Sequence, residues 1–169
     1  CLNAHPHVSQ NGRLALVHNG IIENYQELAA KYGFGDKLSS QTDTEVVAAL
    51  LDYYYEGNPG VAVFQTVREL KGTFALAVLF EDIPDTIYAI RNVSPIIAGV
   101  GKDAGESFLA SDVTALTDYV EQYFVLPEYT LAALSEDGIT LTNDKGEIIE
   151  PKMLRADWKI GSTGKCGYD

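Results

Sequence analysis

Apolar and polar positions follow two rhythms along this chain, and the change between them divides it. Leu14-Ala15-Leu16-Val17 is a short apolar run that closes on polar His18-Asn19-Gly20, so residues 13 to 18 read as a mostly buried strand. Helical spacing then takes over. Residues 24 to 32 read as a short helix, with Asn24 as N-cap, Leu28 and Tyr32 on one face and Gly33 or Gly35 as its stop. A short strand is expected around Asp36 to Ser39. Thr42 followed by Glu45 is a capping box, opening a helix to about Glu56 whose stripe is Val46, Val47, Leu50, Leu51 and Tyr54. Gly57-Asn58-Pro59-Gly60 is a turn, and a third helix over about 60 to 70 carries Val63, Val67 and Leu70.

From Thr73 the texture becomes β-rich. TFALAVLF, TIYAIRN, PIIAGVG, SFLASD, YFVLPEYTLAALS, GITLTN and GEIIE follow with turns between them. A short helix from Val113 to Tyr119, capped by Asp112, interrupts the series. One strand, three helices and a long succession of antiparallel strands imply an α+β layered domain. The strand at 13 to 18 needs neighbours on both sides, and only downstream runs are available, so leading strands are expected to be missing. The tail from Lys152 is polar, holds Gly161, Gly164 and Gly167, and reads as a linker.

Composition adds exclusions. The 169 residues suffice for one domain, and 46% hydrophobic with 21% charged residues is an ordinary globular balance. No apolar run approaches the ~20 residues of a membrane-spanning helix. No basic-then-apolar leader is present, so the cytoplasm is expected. A formal net charge of −12 repels phosphate backbones and argues against nucleic acid as a partner, though not against a small anion in a locally positive pocket. Cys1 and Cys166 sit at opposite ends, match no metal spacing and read as incidental thiols of a reducing compartment.

Three stretches could carry chemistry, each with a plainer alternative. Asn19-Gly20 is either a turn pair after a strand or a pair of N–H donors suited to a developing oxyanion. Asp43, at a helix start, either caps the helix or offers an oxygen to a ligand ammonium. His5-Pro6-His7 is either a metal-binding pair, for which no further ligands sit at a helpful spacing, or a pair of loop histidines satisfied by backbone groups. No metal and no cofactor are expected.

NAHPHVS (3 to 9), LVHNGIIENY (16 to 25), SQTDTEV (40 to 46), KGTFALAVL (71 to 79), SPIIAGVG (94 to 101) and SFLASDVTAL (107 to 116) together resemble one family in order and spacing. It is the glutaminase domain of the glutamine–fructose-6-phosphate aminotransferases, a branch of the class II glutamine amidotransferases. The closing DWKIGSTGKCGYD resembles the linker to their sugar isomerase domains. The resemblance implies an αββα four-layer sandwich of the N-terminal-nucleophile type, here residues 1–151, followed by linker 152–169. It implies glutamine as substrate, with the amide nitrogen passed to fructose 6-phosphate on other domains. It assigns Asn19 and Gly20 to the oxyanion hole and Asp43 to the glutamine amino group.

The family's nucleophilic cysteine is followed by Gly-Ile and preceded by nothing, and an Arg-Trp segment upstream of NAHPH holds the glutamine carboxylate. Cys1 is followed instead by Leu-Asn-Ala-His-Pro-His, so it is not expected to be the nucleophile, and the isolated chain is expected to be inactive. A non-catalytic module of the same fold, or a related amidotransferase such as amidophosphoribosyltransferase, is the alternative. Strands left without neighbours expose backbone groups that invite a second copy, so a homodimer is expected.

Overall fold

In the computed structural model, which describes residues 3–103 and 105–155, helices, one sheet and a second sheet lie in successive layers. The elements are β1 (His7–Val8), β2 (Leu14–Ile22), α1 (Tyr25–Tyr32), α2 (Asp43–Tyr54), α3 (Pro59–Glu69), β3 (Gly72–Phe80), β4 (Ile83–Asn92), β5 (Ile97–Gly101), β6 (Ser107–Ala110), β7 (Val120–Val125), β8 (Leu131–Ser135), β9 (Gly138–Thr142) and β10 (Leu154–Arg155). The larger sheet runs β1-β2-β3-β4-β8-β9 and the smaller β10-β7-β5-β6, with every neighbouring pair antiparallel.

Strand alternation makes the layers. Leu14, Leu16 and Ile22 of β2 and Phe74, Leu76, Val78 and Phe80 of β3 all face the helices, where Leu28, Val47, Leu50, Leu51, Val63 and Val67 meet them. The opposite face of the same sheet offers Ala75, Ala89, Ala132, Leu134 and Leu141, which pack on Ala98 and Phe124 of the smaller sheet. Phe74, Phe80 and Phe124 are each at most 2% exposed, and burying such a side chain stabilises the fold by about 1.5–3 kcal/mol. The expected fourth layer is represented, among the described residues, by a 3₁₀ helix at Val113–Leu116 on the far side of the smaller sheet, where Leu116 packs on Ile97 and Val120. On the face of the larger sheet turned away from the helices, Val8 of β1, Val17 and Ile21 of β2 and Leu79 of β3 are exposed.

Several expected elements change form. The stretch expected as a strand around 36 to 39 is a 3₁₀ helix, Gly35–Lys37, because the Lys37 N–H closes a turn onto the Phe34 carbonyl and Leu38 packs against the helices. The helix expected from Val113 to Tyr119 stops as the 3₁₀ turn, although Asp112 does cap it by accepting from the Thr114 N–H at 2.8 Å. GEIIE forms no strand beyond a single bridge of Ile148 to Thr142. Within the expected linker, Leu154 and Arg155 pair with Tyr123 and Gln122 of β7, and residues 156–169 lie outside the described part.

Candidate functional site

The strand carrying Asn19 and Gly20 does not end at His18. It continues to Ile22, pairing nine consecutive residues with β3, so Asn19-Gly20 is mid-strand rather than a turn. Glycine is required there by close approach. Gly20 has φ +140°, and a Cβ on it would lie 2.1 Å from the Thr73 carbonyl oxygen.

The backbone groups of alternate β2 residues face opposite edges. Glu23 donates to the Lys71 carbonyl on the β3 side, whereas Ser9 N–H reaches the Leu14 carbonyl and Asp43 Oδ2 accepts the Ile22 N–H at 2.8 Å on the other side. The Gly20 N–H therefore shares the Ile22 edge. Strand β1 covers that edge only at Ala15 and Leu16, so no described strand pairs with β2 beyond it. The Asp43 carboxylate also lies 3.9 Å from His18 Nδ1. It thus touches residues on both sides of Asn19-Gly20. The Asn19 side chain, by contrast, emerges on the other face of the sheet. There it lines a cleft of about 270 Å³ with Val17, Ala75, Ala77, Pro95 and Ile96.

Local sequence explains how Asp43 is held. Thr42 caps α2 by accepting the Glu45 N–H at 3.2 Å, so Asp43 is free of the capping role and turns toward β2. The return half of the expected capping box is altered: the Glu45 carboxylate accepts the N–H groups of Ser39 at 2.7 Å and Ser40 at 2.5 Å instead of that of Thr42. Burial pushes the Glu45 carboxyl up, but these hydrogen bonds outweigh it and hold it below the usual range.

The loop histidines His5 and His7 meet hydroxyl groups rather than backbone, and His18 meets one of the same hydroxyls. His7 Nε2 lies 3.1 Å from Thr42 Oγ1, while His5 Nε2 and His18 Nδ1 lie 3.2 Å and 3.0 Å from Thr44 Oγ1. Thr44 Oγ1 in turn donates to Asp43 Oδ1 at 3.4 Å. Thr44 and His18 were legible only in part. His18 sits where strand alternation points a side chain at the helices, and a polar residue on that face is a signal; nothing local marks Thr44 as its partner. Among the described residues no three His, Cys, Asp or Glu side chains gather as a metal site requires, and Cys1 and Cys166 lie outside those residues.

Burial lowers the pKa of His18 below its ordinary value, against the pull of the Asp43 carboxylate, and burial with the nearby His5 lowers that of His7. Both are neutral in the fold where they would begin to charge in the unfolded chain, near pH 6.5. Below that pH the unfolded state binds more protons, so stability is full above it and falls on acidification. Glu45 adds its own loss only as the pH drops below its unfolded value of 4.5. The urea midpoint should therefore decline between about pH 7 and 5.5; a flat midpoint over that range would contradict the neutral, buried imidazoles.

Residues 2–118 match the glutamine amidotransferase domain family. The chain belongs to that family. It is 45% identical over 167 residues to the glutamine–fructose-6-phosphate aminotransferase (isomerizing) of Symbiobacterium thermophilum, which is 98% of this chain and 27% of that protein. It is 41% identical over 167 residues to the enzyme of the same name from Aquifex aeolicus, covering 98% of this chain and 28% of the relative. The amidotransferase chain thus spans about a quarter of the length of these curated relatives. In fold it is similar to the glutamine phosphoribosylpyrophosphate amidotransferase of B. subtilis, with a TM-score of 0.68 at 22% identity over 86% of this chain and 33% of that one. The layered architecture is that of the class II glutamine amidotransferases, of the N-terminal-nucleophile type. No described helix of this amidotransferase chain is long and apolar enough to cross a membrane.

Proposed function

We propose that this chain is the larger part of a glutamine-hydrolysing domain, residues 1–151, of a cytoplasmic glutamine–fructose-6-phosphate aminotransferase. Residues 152–169 then lead toward sugar isomerase domains that receive the ammonia and bind fructose 6-phosphate. The observation that carries this is the Asp43 carboxylate held at the open edge of β2, touching His18 and Ile22 on either side of Asn19-Gly20. In this reading Asp43 holds the α-ammonium of glutamine. The Gly20 N–H at the strand edge donates to the oxyanion that forms when a thiolate attacks the side-chain amide, and the Asn19 amide completes the donor pair from the cleft side of the sheet, with the reacting carbon between them. Identity of 45% with the fructose-6-phosphate enzyme, against 22% with the phosphoribosylpyrophosphate enzyme, favours the sugar-phosphate branch. A homodimer joined through the uncovered strand edges belongs to the same reading, and sedimentation velocity reads it directly.

Calorimetry with L-glutamate, the hydrolysis product, tests the assignment. The 1–169 chain is expected to bind it with a Kd on the order of millimolar, about −4 kcal/mol. Asp43→Asn keeps an oxygen for the Ile22 N–H but loses the charge, and should weaken binding by about tenfold or more. Ammonia release from glutamine should be absent, because no cysteine followed by Gly-Ile is in the chain. Unchanged binding by Asp43→Asn would remove the amino-group role, and measurable turnover would overturn the inactivity.

A further inference from the structure

We propose that His18 and His5 are positioning residues: they hold the Thr44 hydroxyl as a donor to Asp43 and so fix the direction in which that carboxylate faces a ligand ammonium. The proposal deepens the role given to Asp43 above and rests on it.

The number of protons available around Thr44 Oγ1 decides the arrangement. A hydroxyl has one proton and two lone pairs, and an ionised carboxylate only accepts. Thr44 Oγ1 has Asp43 Oδ1 at 3.4 Å, His18 Nδ1 at 3.0 Å and His5 Nε2 at 3.2 Å around it. If the single proton is directed at either imidazole, Asp43 Oδ1 faces a lone pair. If it is directed at Asp43, both imidazoles donate and all three contacts are satisfied. The second arrangement fixes both tautomers. His18 carries its proton on Nδ1 and His5 on Nε2.

His18 Nε2 is buried with no hydrogen bond of good geometry, and the Thr73 carbonyl is the backbone group that draws on the ring. A proton on Nε2 would be aimed at that carbonyl and would leave Nδ1 to accept from Thr44, so the position of the His18 proton decides between the two arrangements. Of the roughly four acceptor positions on the carboxylate, one takes the Thr44 hydroxyl and one the Ile22 N–H, which pins both oxygens and leaves the remaining lone pairs for a ligand. The three parts come from the segment before β1, from β2 and from the first turn of α2, so the arrangement gives the NAHPH, HNG and TDT stretches a shared physical task.

The experiment uses the full 1–169 chain with ¹⁵N-labelled histidine. Long-range ¹H–¹⁵N spectra at about pH 8 should show His18 protonated at Nδ1 and His5 at Nε2. Thr44→Val, which is close in shape, should abolish the His18 Nδ1 preference, and Thr44→Ser should keep it. In calorimetry Thr44→Val should weaken L-glutamate about tenfold, Thr44→Ser less than about threefold, and neither should change the response to glutarate, which lacks the amino group. A His18 proton on Nε2 in the unaltered chain overturns the arrangement, as does Thr44→Val binding L-glutamate like the unaltered chain. Failure of the unaltered chain to bind L-glutamate, with the tautomers as expected, overturns instead the amino-group reading of Asp43 and the task assigned to the histidines with it.

Discussion

Gly20→Ala is expected to remove most of the folding stability of this domain. The added Cβ would sit 2.1 Å from the Thr73 carbonyl oxygen, 2.7 Å from its carbon and 3.0 Å from the Phe74 Cα, all backbone atoms that no rotamer change relieves. The φ of +140° is costly for any side chain even where there is space. To accommodate the methyl group β2 and β3 must separate at Phe74, which is fully buried between the sheet and the helices. We expect a loss of roughly 4 kcal/mol or more, at the exceptional end for a single substitution and a large share of the 5–15 kcal/mol typical of a domain. Gly12→Ala is the control: it has φ +78° with nothing within 4 Å of its Cβ, and should cost about 1 kcal/mol. Urea unfolding with an unchanged slope reads both. A Gly20→Ala protein within 1 kcal/mol of the parent would show that the strands do not approach as described.

Asn24→Ala should also cost far more than its position suggests. As an N-cap, Asn24 would contribute about 1 kcal/mol. It makes no such cap bond. Its amide instead donates to the Glu69 carbonyl at 2.8 Å and its oxygen accepts the Lys71 N–H at 2.9 Å, joining the start of α1 to the end of α3 and the entry to β3. Asn24 is 7% exposed, so truncation leaves two backbone groups short of partners with little access for water. At about 1–3 kcal/mol for each, the loss should be roughly 2–5 kcal/mol. Asn24→Asp should fail to rescue, because it keeps the acceptor for Lys71 but turns a charge on the Glu69 carbonyl. A loss near 1 kcal/mol in thermal unfolding would return Asn24 to the simple capping role.

These two residues mark where reading along the chain stops working. The capping of α2 is legible because its bond spans three residues, Thr42 to Glu45. The stop of α1 at Gly33, with φ +67°, is legible for the same reason. The true length of β2 is not, since a strand through His18-Asn19-Gly20 has poor local propensity and is held by nine pairings with residues fifty or more positions away. Strand β1 is only His7–Val8, too short to leave a periodic trace, and exists because β2 offers it an edge. At 35 to 39 a strand and a 3₁₀ turn suit the residues almost equally, and the packing of Leu38 decided between them.

The candidate site divides in the same way. Asn19, Gly20 and Asp43 could be named from residue type and family resemblance, because each is chemically unusual for its local element. The Thr44 bridge to His5 and His18 could not, since its members are 39 and 26 positions apart.

The chain's own order of residues determined its class: one apolar strand and then helical periodicity up to about residue 70, strand periodicity after it, and caps and glycines that act within one turn of themselves. Tertiary structure alone decided that Asp43 would be turned onto β2, that Gly20 would be pressed against Thr73, and that three histidines would find two threonines. The reason is physical. Local preferences act over a few residues and a fraction of a kcal/mol, whereas burial of a whole strand between two layers sums over many contacts and overrides them.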